Sequence, residues 1–334
     1  LLDEDEIGPL LEAALGRLRG GAVRISGLSR FHGGAARETW RFTLHAGDQQ
    51  EGLVLRRDPA ASLITTSRAA EFHVLGRAHR AGLPVPEPLH LDPTGAEFGS
   101  PGFLMREVPG GRAPGLFEED PYGPQRGLTG HDLFAALGRL HRLVPDEMDR
   151  AQLPVMDAAA RLAHWVAEIE AHKIQPEPVA MAAIRWLQAN VPPPSGPPAL
   201  VHGDFRSGNF LVGADNRLLA LLDWEMAHVG DPMEDLAWVM DPLWGHGADG
   251  LVAATLPADA AIAAWEAASG RRYDARHAAW WRLFAGVTGL AIWISSSFEV
   301  ANHRTVDPVM TFAGLYPYRF HNAQVAADLR ALMA

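Results

Sequence analysis

The chain has 334 residues, 48% of them hydrophobic, which is ample for one large domain or a two-lobed enzyme with a sizeable core. A formal net charge of −11 disfavours a nucleic-acid binder, a class that presents a basic face; it is compatible with a cationic substrate without establishing one. The absence of cysteine excludes disulfides, thiolate metal sites and a cysteine nucleophile, and the basic residues are almost all arginine, with Lys173 the one lysine.

No apolar run reads as long enough to span a membrane, and the N-terminus is acidic rather than signal-like, so the expectation is a cytoplasmic protein without membrane contact. Ile7, Leu10, Leu11, Ala14, Leu15 and Leu18 recur at helical spacing and Gly20-Gly21 stops that helix. Val23 and Ile25 start a strand, residues 31–35 turn, and Trp40, Phe42 and Leu44 alternate on the next strand. Small residues at that tip, Gly33 and Gly34, let a backbone approach a phosphate closely, although an ordinary hairpin turn uses the same residues. Leu53 to Arg56 form a third strand on which Val54 and Arg56 share a face. Residues 67–80 read as a helix that the prolines after Gly82 end. Phe103 to Arg106 form a strand running into a Pro109-Gly110 turn, and a domain boundary is placed there: 1–106, then 107–334. Residues 111–128 read as a loop, and Thr129 with Asp132 reads as a capping-box-like helix start. Helices are expected over 157–172 and 179–190, and near 234–240, 259–269, 274–298 and 318–333. The proline-rich stretch from Val191 is a stiff linker, and His141 and most tryptophans are assigned to packing.

The linker leads into the most informative stretch, 200–225. Leu200-Val201 is a short buried strand, and His202-Gly203-Asp204 opens a polar loop. Asn209 follows Asp204 by five residues, Phe210 to Val212 is a second strand, and Leu218 to Leu222 is a third that ends in Asp223. Asp204, Asn209 and Asp223 are thus delivered at the ends of apolar strands. Phosphoryl transfer needs one carboxylate to orient and deprotonate a hydroxyl, and an amide and a carboxylate to hold magnesium. The alternative is a hairpin whose turns are simply rich in Asp, Asn and Gly.

The block His-Gly-Asp-Phe-Arg-Ser-Gly-Asn, Leu-Asp-Trp-Glu and Gly-Asp-Pro-Met-Glu-Asp-Leu-Ala-Trp (230–238) resembles the aminoglycoside phosphotransferase-like kinases. The branch it looks most similar to contains kinase domains fused to some acyl-CoA dehydrogenases; Gly33 to Trp40 and Val54-Leu55-Arg56-Arg57 match that branch's upstream marks. The resemblance implies an α+β, protein-kinase-like, two-lobed fold: an antiparallel-sheet N-lobe, a mainly helical C-lobe and a nucleotide between them. It implies Asp204 as base, Arg206 as a cation on the transferring phosphate, and Asn209 and Asp223 as magnesium ligands. Gly33 and Gly34 would cover the phosphates, and Arg56, paired with Glu71, would replace the usual lysine; an arginine there grips phosphate bidentately and stays charged. Val54 and Met105 would wall the base, which the carbonyl of Arg106 and the amide of Val108 would read. Asp231 and Asp235 would brace the loop.

The activity implied is transfer of the ATP γ-phosphate, with GTP possible as donor, to a hydroxyl of a small molecule. That acceptor is a hydroxy acid or hydroxyacyl-CoA by branch resemblance, or an aminoglycoside or macrolide. An acidic acceptor cleft would suit the aminoglycoside; one carrying Arg272, Arg276 or Arg304 would suit an anion. A nucleotide-binding regulator without turnover is the rival from another class, supported by the missing lysine. The histidines show no metal-protease spacing. Oligomeric state is not written in the sequence.

Overall fold

The computed structural model describes residues 4–31, 38–58, 67–115, 118–305 and 307–334. Its contacts divide the chain into two units: Leu1–Arg112 with Leu219–Met226, and Ala113–Leu218 with Ala227–Ala334. The segment 219–226, which the sequence reading grouped with 107–334, joins the first unit, where Leu221 N–H donates to Pro84 O at 2.8 Å.

The first unit runs α1 (Glu4–Arg19), β1 (Arg24–Arg30), β2 (Glu38–Ala46), β3 (Gln49–Arg57), α2 (Arg68–Arg80), β4 (Pro88–Asp92) and β5 (Gly102–Arg106). The strands form one antiparallel sheet in the order β1-β2-β3-β5-β4. Period-two alternation sends Trp40, Phe42, Leu44, Leu53, Leu55 and Leu104 to one face, which buries Ile7, Leu11, Ala14 and Leu15 of α1. Val54 and Arg56 point to the other face, where Val54 pairs across the ladder with Met105 and Arg56 with Phe103. Ser67 Oγ caps α2 by accepting from Ala70 N–H, and Phe72 meets Phe103 edge-on at 5.9 Å. Arg57, on the core face, is buried against Glu38, with Nε to Oε2 at 2.8 Å, and its Nη1 donates to Phe98 O at 2.6 Å.

β4 ends in a local device. The buried Asp92 carboxylate accepts the N–H groups of Thr94, Gly95 and Ala96 on Oδ1, and those of Glu97 and Phe98 on Oδ2. Burial pushes its pKa up, but the backbone donors outweigh burial and hold it below the usual carboxylate value.

The second unit contains α3 (Arg126–Arg142), α4 (Glu147–Gln152), α5 (Ala158–His172), α6 (Pro178–Ala189), β6 (Ala199–Val201), β7 (Phe210–Val212), β8 (Leu218–Leu221, running on into the first unit's segment) and β9 (His228–Gly230). It continues with α7 (Met233–Val239), a 3-10 turn at Pro242–Gly245, α8 (Ala258–Ser269), α9 (Ala278–Ala301), α10 (Pro308–Ala313) and α11 (Tyr316–Met333). Thr129 and Asp132 do not start α3; they lie inside it. Thr129 Oγ1 donates to Asn216 O at 2.8 Å, and Asp132 receives Arg217 Nε at 2.6 Å, so both pin the turn between β7 and β8.

The 24-residue α9 corrects the expectation that no segment is long and apolar enough to cross a membrane: by length and composition it is. Two thirds of its most apolar window is buried, because it packs against α5, α6, α7, α10 and α11 as a core helix.

Candidate active site

In the second unit, β6 is fully buried and pairs with β9, and it delivers the loop 202–209 from a fixed base. The loop is held from behind by Asp235, in the first turn of α7. Its Oδ2 accepts His202 N–H at 2.7 Å and its Oδ1 accepts Gly203 N–H at 2.8 Å. His141 reaches the same carboxylate, Nε2 to Oδ2 at 3.0 Å. Trp265 Nε1–H donates to His141 Nδ1 at 2.9 Å, so the proton of a neutral His141 must lie on Nε2, facing Asp235. Burial raises the Asp235 pKa, but His141 and the backbone donors outweigh it and the carboxyl lies below its ordinary value. Neighbouring Glu234, also buried, takes Arg161 Nε at 2.7 Å and lies 3.2 Å from His228 Nε2, tying α7 to α5 and β9.

Asp204 is almost fully buried and its carboxylate is fixed on both oxygens. Oδ1 accepts Trp238 Nε1–H at 2.8 Å and Arg206 Nε–H at 2.9 Å; Oδ2 accepts Asn209 Nδ2–H at 2.7 Å. Asn209 spends its other amide proton on Asp204 O at 2.9 Å, which leaves Oδ1 as the amide's oxygen donor for a cation. Arg206 lies over the Trp244 ring at 4.9 Å from the centroid. Gly208 has φ +96°, a conformation that favours glycine, and a Cβ there would come within 2.9 Å of Arg206 Nη1, the movable end of that side chain.

In the first unit, Arg56 is surrounded by carboxylates. Its Nη2 lies 2.5 Å from Asp223 Oδ1 and 3.3 Å from Glu225 Oε2, and its Nε lies 3.2 Å from Glu71 Oε1. The Nε contact has the distance of an ion pair without the alignment of a hydrogen bond. Burial works against the charge, but Asp223, Glu71 and Glu225 more than compensate and raise the guanidinium pKa. Glu71 is also bonded to Arg68, which pairs with Asp58. Asp223 occupies the left-handed region at φ +65°, which Asp tolerates better than most residues, and Trp224 Nε1–H closes that turn on Leu221 O.

The sequence-derived candidates therefore fall into two groups. Asp204, Arg206 and Asn209 converge within the second unit, and Arg56, Glu71 and Asp223 within the first. Val54 and Met105 are cross-strand neighbours. The Arg106 side chain is engaged by Glu87 and Glu51, while its N–H donates to Glu87 O. Glu107 N–H is taken by Gly52 O, whereas Val108 N–H donates to no backbone carbonyl among the described residues. Gly33 and Gly34 lie outside the described residues. Each unit offers hard oxygen donors of the kind that magnesium prefers, Asn209 Oδ1 in the second and the Asp223 carboxylate in the first. The described residues contain no cluster of three or more His, Asp or Glu arranged for a metal.

Sequence reasoning missed Trp238 and Glu225 as site residues although both stand in the quoted motif, because tryptophan was assigned to the core and the Glu after Asp-Trp to no role. It also missed His246. This residue hydrogen-bonds Ser207 Oγ through Nε2 at 2.9 Å and Glu118 O through Nδ1 at 3.1 Å. His246 lines a cavity of about 660 Å³ whose other walls include Leu243, Tyr316 and Phe320 with the acidic Glu118, Glu119 and Asp249. No arginine or lysine among the described residues lines it. Arg272, Arg276 and Arg304 are instead paired with Glu266, Asp274 and Glu299.

Comparison with known proteins gives the family and the fold. A sequence profile of the phosphotransferase enzyme family (APH) matches residues 27–274. Acyl-CoA dehydrogenase family member 10 of Mus musculus is 28% identical over 207 residues, and member 11 of Gallus gallus 30% over 206 residues; each match covers 59% of this chain. The chain spans only 19% and 26% of those relatives. Among solved structures, a Ralstonia eutropha protein provisionally assigned as an aminoglycoside phosphotransferase superposes with TM-score 0.75, at 18% identity, over 97% of this chain and 98% of that one. A spectinomycin phosphotransferase, solved with ADP and spectinomycin, superposes with TM-score 0.60, at 13% identity, over 92% and 93%. The α+β architecture is thus the kinase-like phosphotransferase fold, and since the family profile spans both the Arg56 cluster and the Asp204 loop, the chain belongs to the phosphotransferase enzyme (APH) family.

Proposed function

We propose that this enzyme transfers the γ-phosphoryl group of ATP, with GTP as the alternative donor, to a hydroxyl of a small molecule. The observation that carries the reading is the Asp204 carboxylate, fixed on Oδ1 by Trp238 and Arg206 and on Oδ2 by Asn209. A carboxylate held this way orients an incoming hydroxyl and receives its proton as the oxygen bonds to the γ-phosphorus; the bond from that phosphorus to the bridging oxygen breaks and ADP leaves with the electron pair. Arg206, anchored on Trp244, gives the transferring phosphoryl group a fixed positive charge. Asn209 and Asp223 would be the chain's oxygen donors to magnesium, which when bound would supply positive charge against the phosphates. Arg56 would grip phosphate and Glu71 position it, Val54 and Met105 would wall the base, and the Arg106 carbonyl and Val108 amide would read its edge.

Resemblance to the acyl-CoA dehydrogenase family members favours a hydroxy acid or hydroxyacyl-CoA as acceptor. The cavity beside His246 supports a second reading. With Glu118, Glu119 and Asp249 on its wall and neither arginine nor lysine among its described lining residues, it suits an amine-bearing hydroxyl compound of the aminoglycoside or macrolide kind better than an anion. The deciding experiment measures transfer of labelled γ-phosphate, with magnesium, to hydroxy acids, hydroxyacyl-CoA thioesters, aminoglycosides and macrolides, with Asp204→Asn as control. Transfer to one class, lost in the variant, supports the reading and identifies the acceptor class. Failure of a folded sample to bind magnesium-ATP or magnesium-GTP refutes it.

A further inference from the structure

We infer that Arg56 makes the metal site conditional on nucleotide: its guanidinium holds the Asp223 and Glu225 carboxylates, and a divalent cation gains Asp223 only once phosphate draws that guanidinium away. The inference rests on the phosphotransferase reading and adds an order of loading to it. Asp223 Oδ1 is 2.5 Å from Arg56 Nη2, and the same nitrogen reaches Glu225 Oε2 at 3.3 Å, so one forked cation spans both side chains. A divalent ion on Asp223 would lie within a few ångströms of a fixed positive charge in a site where Arg56 is largely shielded from water, and the repulsion there is weakly screened.

An arginine cannot relieve that repulsion by losing its proton, so pH does not open the site. A phosphate can, because it offers the guanidinium the bidentate partner that a single Asp223 oxygen does not. Two further features make Arg56 the part that moves. Its Nε is a buried donor within 3.2 Å of Glu71 yet out of line for a hydrogen bond, so its present position does not satisfy it fully. Glu71 also keeps Arg68 as a partner, so displacing Arg56 does not strand a buried carboxylate.

The test titrates the full chain with Mn²⁺, reading free ion by electron paramagnetic resonance, with and without the non-hydrolysable nucleotide AMP-PNP. Wild type is expected to bind Mn²⁺ at least tenfold more tightly in the presence of AMP-PNP, after correction for the Mn–AMP-PNP complex. Arg56→Gln should bind Mn²⁺ without nucleotide at least tenfold more tightly than wild type, and adding Asp223→Asn should abolish that gain. Arg56→Lys, which keeps the charge and loses the fork, should fall between and carries the test if the glutamine variant does not fold. Unchanged nucleotide-free Mn²⁺ affinity in the folded variants overturns the inference while nucleotide binding still upholds the phosphotransferase reading. If wild type binds neither AMP-PNP nor Mn²⁺, both fall together.

Discussion

Asp235→Asn isolates the brace behind the catalytic loop. The carboxylate receives three donors: His202 N–H and His141 Nε2–H on Oδ2, and Gly203 N–H on Oδ1. An asparagine must place its NH₂ against at least one of them. With the amide oxygen kept toward His202 and His141, Gly203 N–H loses its acceptor and faces another donor, at a cost of about 1–3 kcal/mol. The two surviving bonds change from charged to neutral acceptors, roughly 1 kcal/mol each. The sum is about 3–5 kcal/mol, a large share of ordinary stability, and a melting temperature lower by on the order of 10 °C. The assay is urea and thermal unfolding of wild type and variant at several pH values. Because the folded pKa of Asp235 is depressed, its contribution is present above the unfolded value of about 3.9 and is lost as pH falls through the folded value. The gap between wild type and variant should therefore be full near neutrality and narrow in acid. A variant within about 1 kcal/mol of wild type at neutral pH, or a gap that widens in acid, would refute the reasoning.

Asp204→Asn should lose most phosphate transfer while magnesium-ATP affinity changes little, read by steady-state kinetics and calorimetry; nucleotide binding lost in a folded variant contradicts the role of Asp204. Trp238→Phe removes the donor to Asp204 Oδ1 and should lower kcat roughly tenfold or more while leaving KM for ATP near wild type. Gly208→Ala combines φ +96° with a Cβ 2.9 Å from Arg206 Nη1 and should cost roughly 1–3 kcal/mol by urea titration, with kcat falling alongside; a neutral result would mean the loop tolerates side chains at that turn.

The long helices were legible because their apolar spacing is sustained: α1, α2, α5 and α6 lie within a few residues of where periodicity put them. The six-residue α4 and α10 were not, since fewer than two turns carry no period; their capping residues Asp146 and Asp307 were the available signal. The 202–223 block was legible because Asp204, Arg206 and Asn209 act over short sequence distances. What holds the block in place was not. His141 meets Asp235 across 94 positions and Trp265 meets His141 across 124, and local pattern does not encode such partners. The buried Arg57 beside Arg56 illustrates the same limit, because two adjacent arginines on opposite faces of β3 read identically until Glu38 and Asp223 are seen to claim one each.

The guanidinium at position 56 also bears on how this enzyme would be found. A nucleotide analogue that acylates an amine would need a lysine side chain at its site. Here the group held against Asp223 is not an amine, and the one lysine side chain is Lys173, exposed at the end of α5 and paired there with Glu170. On the proposed reading, such a reagent would meet a guanidinium rather than an amine at position 56 and leave that group unmarked.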